Sequence, residues 1–194
     1  MTVIGAIPNI ALAKNNPGKL NYASQGSGAT SHLTTELFKS MAGGVEGPLR
    51  ITHVPYKGTA PALADLLGGQ VDMMVDNPGV SLPHVKSGKL RALAVASPRR
   101  FRSLPEVPTM AETLPGFESV AWFGIVGPPK TPAAIAEKVA AGVAETLRNP
   151  DVLRRLSELS ADPLGLSPAE TAAFMRQETE RWGAVIRSAG VKLE

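Results

Sequence analysis

Between Lys19 and Ser97 the chain alternates apolar runs of strand length with segments of helical period, and few folds accommodate that rhythm. KLNYASQG, residues 19–26, sets Leu20, Tyr22 and Ser24 against polar neighbours and ends in a glycine-rich turn, the pattern of a strand entering a turn. A helix is expected next: Leu33, Leu37 and Met41 recur every four residues between Ala29 and Ala42, with Phe38 beside them, before Gly43 and Gly44. Ile51 and Val54 predict a short strand stopped by Pro55, which cannot donate to a sheet ladder. Thr59 is expected to cap a helix that runs through Leu67 to Gly68 and Gly69. Val71, Met73, Met74 and Val75 then put apolar side chains on both faces, which suits a strand covered on two sides. Asn77 and Pro78 start another helix that Pro83 shortens or kinks, and Leu90 to Ser97 reads as a fourth strand. Successive crossovers of this length predict an α/β fold with a parallel-type sheet and right-handed connections.

The remainder has a different texture. Pro98 to Gly116 holds four prolines and no sustained period, so an ordered loop or linker with one short helical turn is expected. VAWFGIVGPP, Val120 to Pro129, reads as a buried strand. Three helices follow, with start signals at Thr131-Pro132, Asn149-Pro150 and Ser167-Pro168, and Ser167 with Glu170 has the spacing of a capping box. Trp182 shares a helical face with Phe174 and Ile186 and is expected in the core. Helices without intervening strands must pack on a sheet supplied from elsewhere. The domain reading is therefore residues 1–18 as a hinge remnant, 19–97 as an α/β ligand-binding lobe, 98–119 as a linker, and 120–194 as the strand and helices of an incomplete partner lobe.

Composition removes several function classes. The absence of cysteine excludes disulfide scaffolds, thiolate metal sites and cysteine nucleophiles. A net charge of +3 with Lys and Arg scattered along the chain lacks the dense basic face of nucleic-acid binding. No apolar run approaches the roughly eighteen residues of a membrane span. The opening MTVIGAIPNIALAKNNPGKL has no basic lead and no clear small-residue cleavage site, so no export signal is expected in it.

The residues that invite a ligand are SQGSGATSHL, Ser24 to Leu33. A strand end, a Gly-Ser-Gly turn and a helix start together present unpaired N–H groups and roughly half a positive charge, and glycine lets a ligand approach the backbone closely. Ser24, Ser27, Thr30 and Ser31 add hydroxyls. A turn that only caps a helix has the same pattern. GSGATS also meets part of the dinucleotide fingerprint, but Ser31 stands where the third glycine belongs. Two more loops, VPYKGTA and DNPG, fall at the C-terminal ends of parallel strands, where open α/β sheets collect ligands. Tyr56, Lys57, Gly58, Thr59, Asp76 and Asn77 are thus expected at the crevice, although Lys57 also suits a solvated charge and Asn77 a plain helix cap.

Catalytic constellations are scarce. His32, His53 and His84 have no metal-ligand spacing, and no G-x-S-x-G elbow or Walker loop occurs. Ser31 beside His32 invites a nucleophile and base, but adjacent helical residues point about 100° apart and nothing in the sequence orients the imidazole. No catalytic residue, metal or cofactor is expected.

Four blocks carry a resemblance: NPGKLNYASQGSGATSHLTTELFKSMAG, VPYKGTAPALADLLGGQVDMMVDN, LPHVKSGKLRALAVAS, and LPEVPTMAETLPGFES with AWFGIVGPPKTPAAIAEKV. Together they resemble the Bug family, the extracytoplasmic solute receptors of tripartite tricarboxylate transporters, over residues 14–194. The resemblance implies a periplasmic binding protein-like fold of the type II, venus-flytrap kind. It implies a receptor and not an enzyme: a periplasmic protein that binds dicarboxylates, tricarboxylates or acidic amino acids between two lobes and hands them to a membrane permease. By position, the ligand contacts would be Ser24, Gly26, Ser27, Gly28, Thr30 and Ser31, with Tyr56, Lys57, Gly58, Thr59 and Asp76 nearby. Family members begin with an export signal and first-lobe βα units that nothing before Thr2 matches. Weak ligand binding, or none, is therefore expected of this chain alone, and the apolar faces of Leu147, Leu153, Phe174 and Trp182 would need cover, by folding back or by self-association. Two other readings remain open at this point: a Rossmann-like nucleotide-binding enzyme, and an inactive truncated remnant.

Overall fold

A computed structural model of the chain describes residues 2–4 and 7–191, with side-chain environments given from Ile10 to Val191. It divides into two compact units, residues 1–121 with 184–194, and residues 122–183.

The first unit is built on one five-stranded sheet. In chain order it contains β1 (Thr2–Ile4), α1 (Ile7–Asn15), β2 (Asn21–Ser24), α2 (Thr30–Gly43), β3 (Thr52–Pro55), α3 (Thr59–Leu67), β4 (Met73–Asp76), α4 (Pro78–Lys86) and β5 (Ala94–Val95). The strand order is β3-β2-β4-β1-β5. β2 pairs in parallel with β3 and with β4, whereas β1 lies antiparallel between β4 and β5. The sheet is therefore parallel in its βαβαβ part, and the one reversed strand comes from the segment before Lys19.

The alternation of β4 explains why its sequence is apolar on both faces. Met73 and Val75 join Tyr22 of β2 and Phe38 of α2 in one core cluster, while Met74 joins Ala23 of β2 and Ala62, Leu63 and Leu66 of α3 in another. Successive side chains of a strand point to opposite faces, so α2 covers one face and α3 the other. That follows from strand order: the connection from β2 goes outward to β3, the next returns past β2 to β4, and right-handed crossovers in opposite directions put their helices on opposite faces.

Several expectations need correction. The fourth strand is only Ala94–Val95, and Leu90 to Leu93 is irregular. Thr59 is the first helical residue rather than the cap, because Gly58 takes the cap position at φ +110°, a backbone conformation open to glycine. Residues 98–119, in contrast, form an ordered loop with the one short helical turn expected: Leu104, Val107, Met110 and Phe117 are buried, and a Thr109–Glu112 capping box opens a 3₁₀ turn at Met110–Glu112. The Ser119 amide donates to the Ala96 carbonyl, and Thr109 bridges Val95 in parallel, so this segment extends the edge at β5. Its apolar residues are placed by successive turns, which leaves no period to read.

The second unit contains α5 (Ala133–Thr146), α6 (Pro150–Glu158) and most of α7 (Pro168–Ala189). The start signals of α6 and α7 act as expected, whereas at α5 Pro132 itself takes the cap position without a side-chain bond and the Thr131 hydroxyl donates back to the Pro128 carbonyl. The Asn149 side chain accepts from the Asp151 amide, and Ser167 and Glu170 exchange backbone and side-chain hydrogen bonds. The strand expected at Val120–Pro129 does not form. Phe123, Ile125 and Val126 are 91%, 72% and 74% exposed, and no strand among the described residues lies in this unit to pair with the run. Trp182 is half-buried rather than core, its indole N–H donating to Glu178 at 3.0 Å, and Trp122 meets Phe174 edge-on.

Candidate carboxylate-binding edge

Three helices begin at one edge of the sheet. β2, β3 and β4 run parallel and are followed at their C-terminal ends by α2, α3 and α4, so the positive ends of three helix dipoles face the same side. The connections leave β2 and β4 in opposite directions, which makes the space beyond Ser24 and Asp76 the topological switch point of the sheet.

The loop after β2 is held to this edge by its backbone. The Tyr56 amide donates to the Ser24 carbonyl at 3.0 Å and the Gly58 amide to the Gln25 carbonyl at 3.2 Å. Gly26 and Gly28 take positive φ values of 139° and 77°. A Cβ at Gly26 would stand 3.6 Å from the Tyr56 carbonyl oxygen, so contact permits one there but the backbone conformation disfavours it. The turn leads into α2 without a side-chain cap at Ala29. Among the described residues, the amides of Ser27, Thr30, Ser31 and His32 find no acceptor within the protein, and the Ser27 and Thr30 hydroxyls are likewise unpartnered. These are the donors that the start of a helix leaves unpaired within its own chain, and an anion or water can accept from them.

The other expected residues divide by role. Ser24 and Ser31 are fully buried, and the Ser31 hydroxyl accepts from the Gln25 amide at 3.0 Å. Asp76 is also fully buried; Gln25 donates to one carboxylate oxygen at 2.9 Å and Ser81 to the other, so it pins the loop to β4. Tyr56 turns its hydroxyl to Asp65 at 2.7 Å and packs its ring on the α3 face, leaving only its backbone at the edge. The Gly58 amide is spent on Gln25, Thr59 brings the first turn of α3, and Lys57 is exposed. Asn77 is the α4 cap residue, with no side-chain capping bond.

Two histidines complete the underside of the loop, and sequence reasoning missed them. Gly28 donates its amide to His32 Nδ1 at 3.0 Å, and Ser24 Oγ lies 2.6 Å from His53 Nε2. The two rings stack with centroids 3.9 Å apart, and the Tyr22 ring lies near-parallel to His53 with centroids 4.8 Å apart and 6.3 Å from that of His32. The expectation that nothing orients His32 is thus corrected. Its spacing from Ser24 and His53 in sequence gives no sign of the contact, which the β2–β3 pairing of Tyr22 with His53 creates. Burial is the largest cause lowering both imidazole pKa values, and it takes His53 to about 4, helped by the adjacent His32. Burial and the neighbouring Glu36 carboxylate push the Tyr22 phenol well above its ordinary range. No cluster of metal-ligating residues occurs among the described residues.

Comparison with known proteins agrees with this architecture. The tripartite tricarboxylate transporter family receptor, TctC, matches residues 7–191. The chain belongs to that receptor family. BugT of Bordetella pertussis is 37% identical over 186 residues, which cover 95% of this chain and 56% of BugT. Among solved structures, R. palustris Rpa4515 with adipate is 36% identical with a TM-score of 0.86, covering 100% of this chain and 65% of that one. MatC from Rhodopseudomonas palustris with bound malate is 34% identical with a TM-score of 0.79, covering 92% and 60%. The fold is that of the periplasmic binding proteins, as in BugD. This TctC-family chain spans about half the length of the curated relatives it matches.

Proposed function

We propose that the first unit is the carboxylate-holding lobe of a periplasmic solute-binding receptor, which delivers a small di- or tricarboxylate or an acidic amino acid to a membrane permease. The observation that carries this reading is the set of unpartnered amides at Ser27, Thr30, Ser31 and His32, at the edge where three helix N-termini converge. A carboxylate accepts several N–H bonds and gains from the dipoles, and charge-assisted bonds of this kind are the stronger ones. Gly26 and Gly28 let it approach, the Ser27 and Thr30 hydroxyls add donors, and exposed Lys57 offsets a second carboxylate. Ser24, Ser31, Tyr56, Gly58, Thr59 and Asp76 shape the loop around it. Adipate and malate bound to structural relatives support the same class of ligand. The second unit supplies part of the partner lobe, and its exposed Phe123, Ile125 and Val126 favour association between copies at high concentration.

Calorimetric titration with adipate, malate, succinate, citrate, glutamate and aspartate tests the reading. Saturable binding of at least one, abolished when Ser27 and Thr30 are both replaced by proline, is expected, since proline has no N–H. Absence of binding for all six, or binding that the double variant retains, contradicts it.

A further inference from the structure

We propose that the stacked imidazoles of His32 and His53 form a proton-operated latch that holds the glycine loop while both rings are neutral and releases it when the pair takes up a proton. The consequence for affinity rests on the function proposed above; the latch itself is a property of the protein without ligand.

The geometry assigns each ring one loop glycine. His32 Nδ1 accepts the Gly28 N–H at 3.0 Å, so this nitrogen must keep its lone pair, and the ring's own N–H sits on Nε2, which lies 4.0 Å from Glu36 Oε1. A proton added at Nδ1 turns the acceptor into a donor facing another donor, and Gly28 must move away. His53 works one bond further out. Its Nε2 lies 2.6 Å from Ser24 Oγ, and the same oxygen accepts the Gly26 N–H at 3.2 Å. A protonated His53 donates to Ser24, which turns the serine hydroxyl to the Gly26 carbonyl 3.2 Å away, so the contacts at Gly26 are re-paired while the one at Gly28 is lost. Release is therefore at Gly28, with the pairing at Gly26 rearranged.

The surroundings decide when the proton arrives. Tyr22 of β2 stacks on His53 and donates to Glu36 at 2.7 Å; Lys39 of α2 donates to the same Glu36 oxygen, also at 2.7 Å. The one carboxylate near the rings is thus already engaged by an ammonium and a phenol, so it compensates an imidazolium only in part. The rings lie 15° from parallel and 3.9 Å apart, so a charge on one opposes a second on the other. Burial is the leading cause that lowers the pKa of both rings; His32 adds to it at His53, Glu36 opposes it at both, and Lys39 acts with it. The loop opens on the first proton that the pair takes up. Added positive charge alone would strengthen anion binding; loss of the loop geometry weakens it, and the latch requires the second effect to prevail.

The test uses the full chain labelled with ¹⁵N, without ligand, between about pH 7.5 and about pH 3.5, so that the window passes the value of about 4 at His53. The Gly28 amide resonance and the His32 ring signals are expected to move together with one midpoint. His32→Asn offers an amide oxygen where Nδ1 accepts and cannot be protonated, so its Gly28 resonance is expected to lose that transition. His53→Gln, read at Gly26, serves the same purpose if the first variant does not fold. A Gly28 resonance that stays still while His32 titrates, or a transition that persists in both variants, overturns the latch. The second reading is the ratio of malate affinities at the two pH values: about a tenfold loss on acidification is expected for the unsubstituted chain from one charge-assisted bond, and a clearly smaller one for His32→Asn. Equal ratios, or tighter binding in acid, overturn the coupling. If malate does not bind at all, the proposed function fails while the amide titration still decides the latch.

Discussion

The Gln25 side-chain amide donates to the buried Asp76 carboxylate at 2.9 Å, joining the loop after β2 to the end of β4 across the switch point of the sheet. Replacing Gln25 with alanine leaves Asp76 Oδ1 buried without that partner, and a loss of about 1–3 kcal/mol in denaturant-derived stability is expected. Carboxylate affinity is expected to fall with it, since the loop loses its lateral anchor. Unchanged stability would mean that the carboxylate finds another donor.

Gly28→Ala tests the backbone of the loop. At φ +77° an alanine costs about 1–2 kcal/mol, and the strain is relieved by moving the residue whose N–H meets His32. Thermal unfolding should report the stability loss and calorimetry a weaker ligand. Gly18, at φ +78° with open space around it, is the control: the same substitution there is expected to cost similar stability and leave affinity alone.

Stability should decline as pH falls from about 6.5 toward 4. His53 is lowered to about 4 in the folded chain, chiefly by burial, and His32 is lowered for the same leading reason. Between the folded and ordinary values the unfolded chain binds more protons, so stability rises with pH through that window and is complete above the unfolded value. Melting temperatures measured across it should show the slope, and the double variant His32→Asn with His53→Gln should flatten it. Glu112 acts in the same direction in a lower window: the Arg100 guanidinium and the Thr109 amide hold its carboxyl at about 2, so its contribution is full above the ordinary carboxylate value and is lost as pH falls from there to about 2.

Ser167→Ala removes one half of the capping box at the start of α7 and is expected to cost about 1 kcal/mol, read as increased amide exchange in the first turn of that helix. Ligand affinity should not change.

Much of this architecture was legible because local signals and burial coincide. The period-four apolar face of α2, the glycines that end it, and the two-faced apolar run of β4 each state their place in a βαβ unit. The Gly-Ser-Gly turn was legible for the same reason, since its chemistry lies in consecutive residues. What could not be read depends on partners distant in sequence. The stack of His32 on His53 needs β2 and β3 side by side. Val120–Pro129 has strand composition but no neighbouring strand among the described residues of its unit, and composition alone does not make a ladder. Tyr56 looked like a ligand contact, yet Asp65, nine residues on, claims its hydroxyl.

The most direct measurement of the central claim is a ¹⁵N chemical-shift titration of the chain with malate and adipate at neutral pH. Saturable shifts concentrated at the amides of Ser27, Thr30, Ser31 and His32, with smaller ones at Gly26 and Gly28, are the expected result. Saturable binding that leaves those amides unmoved and shifts residues elsewhere would contradict the account.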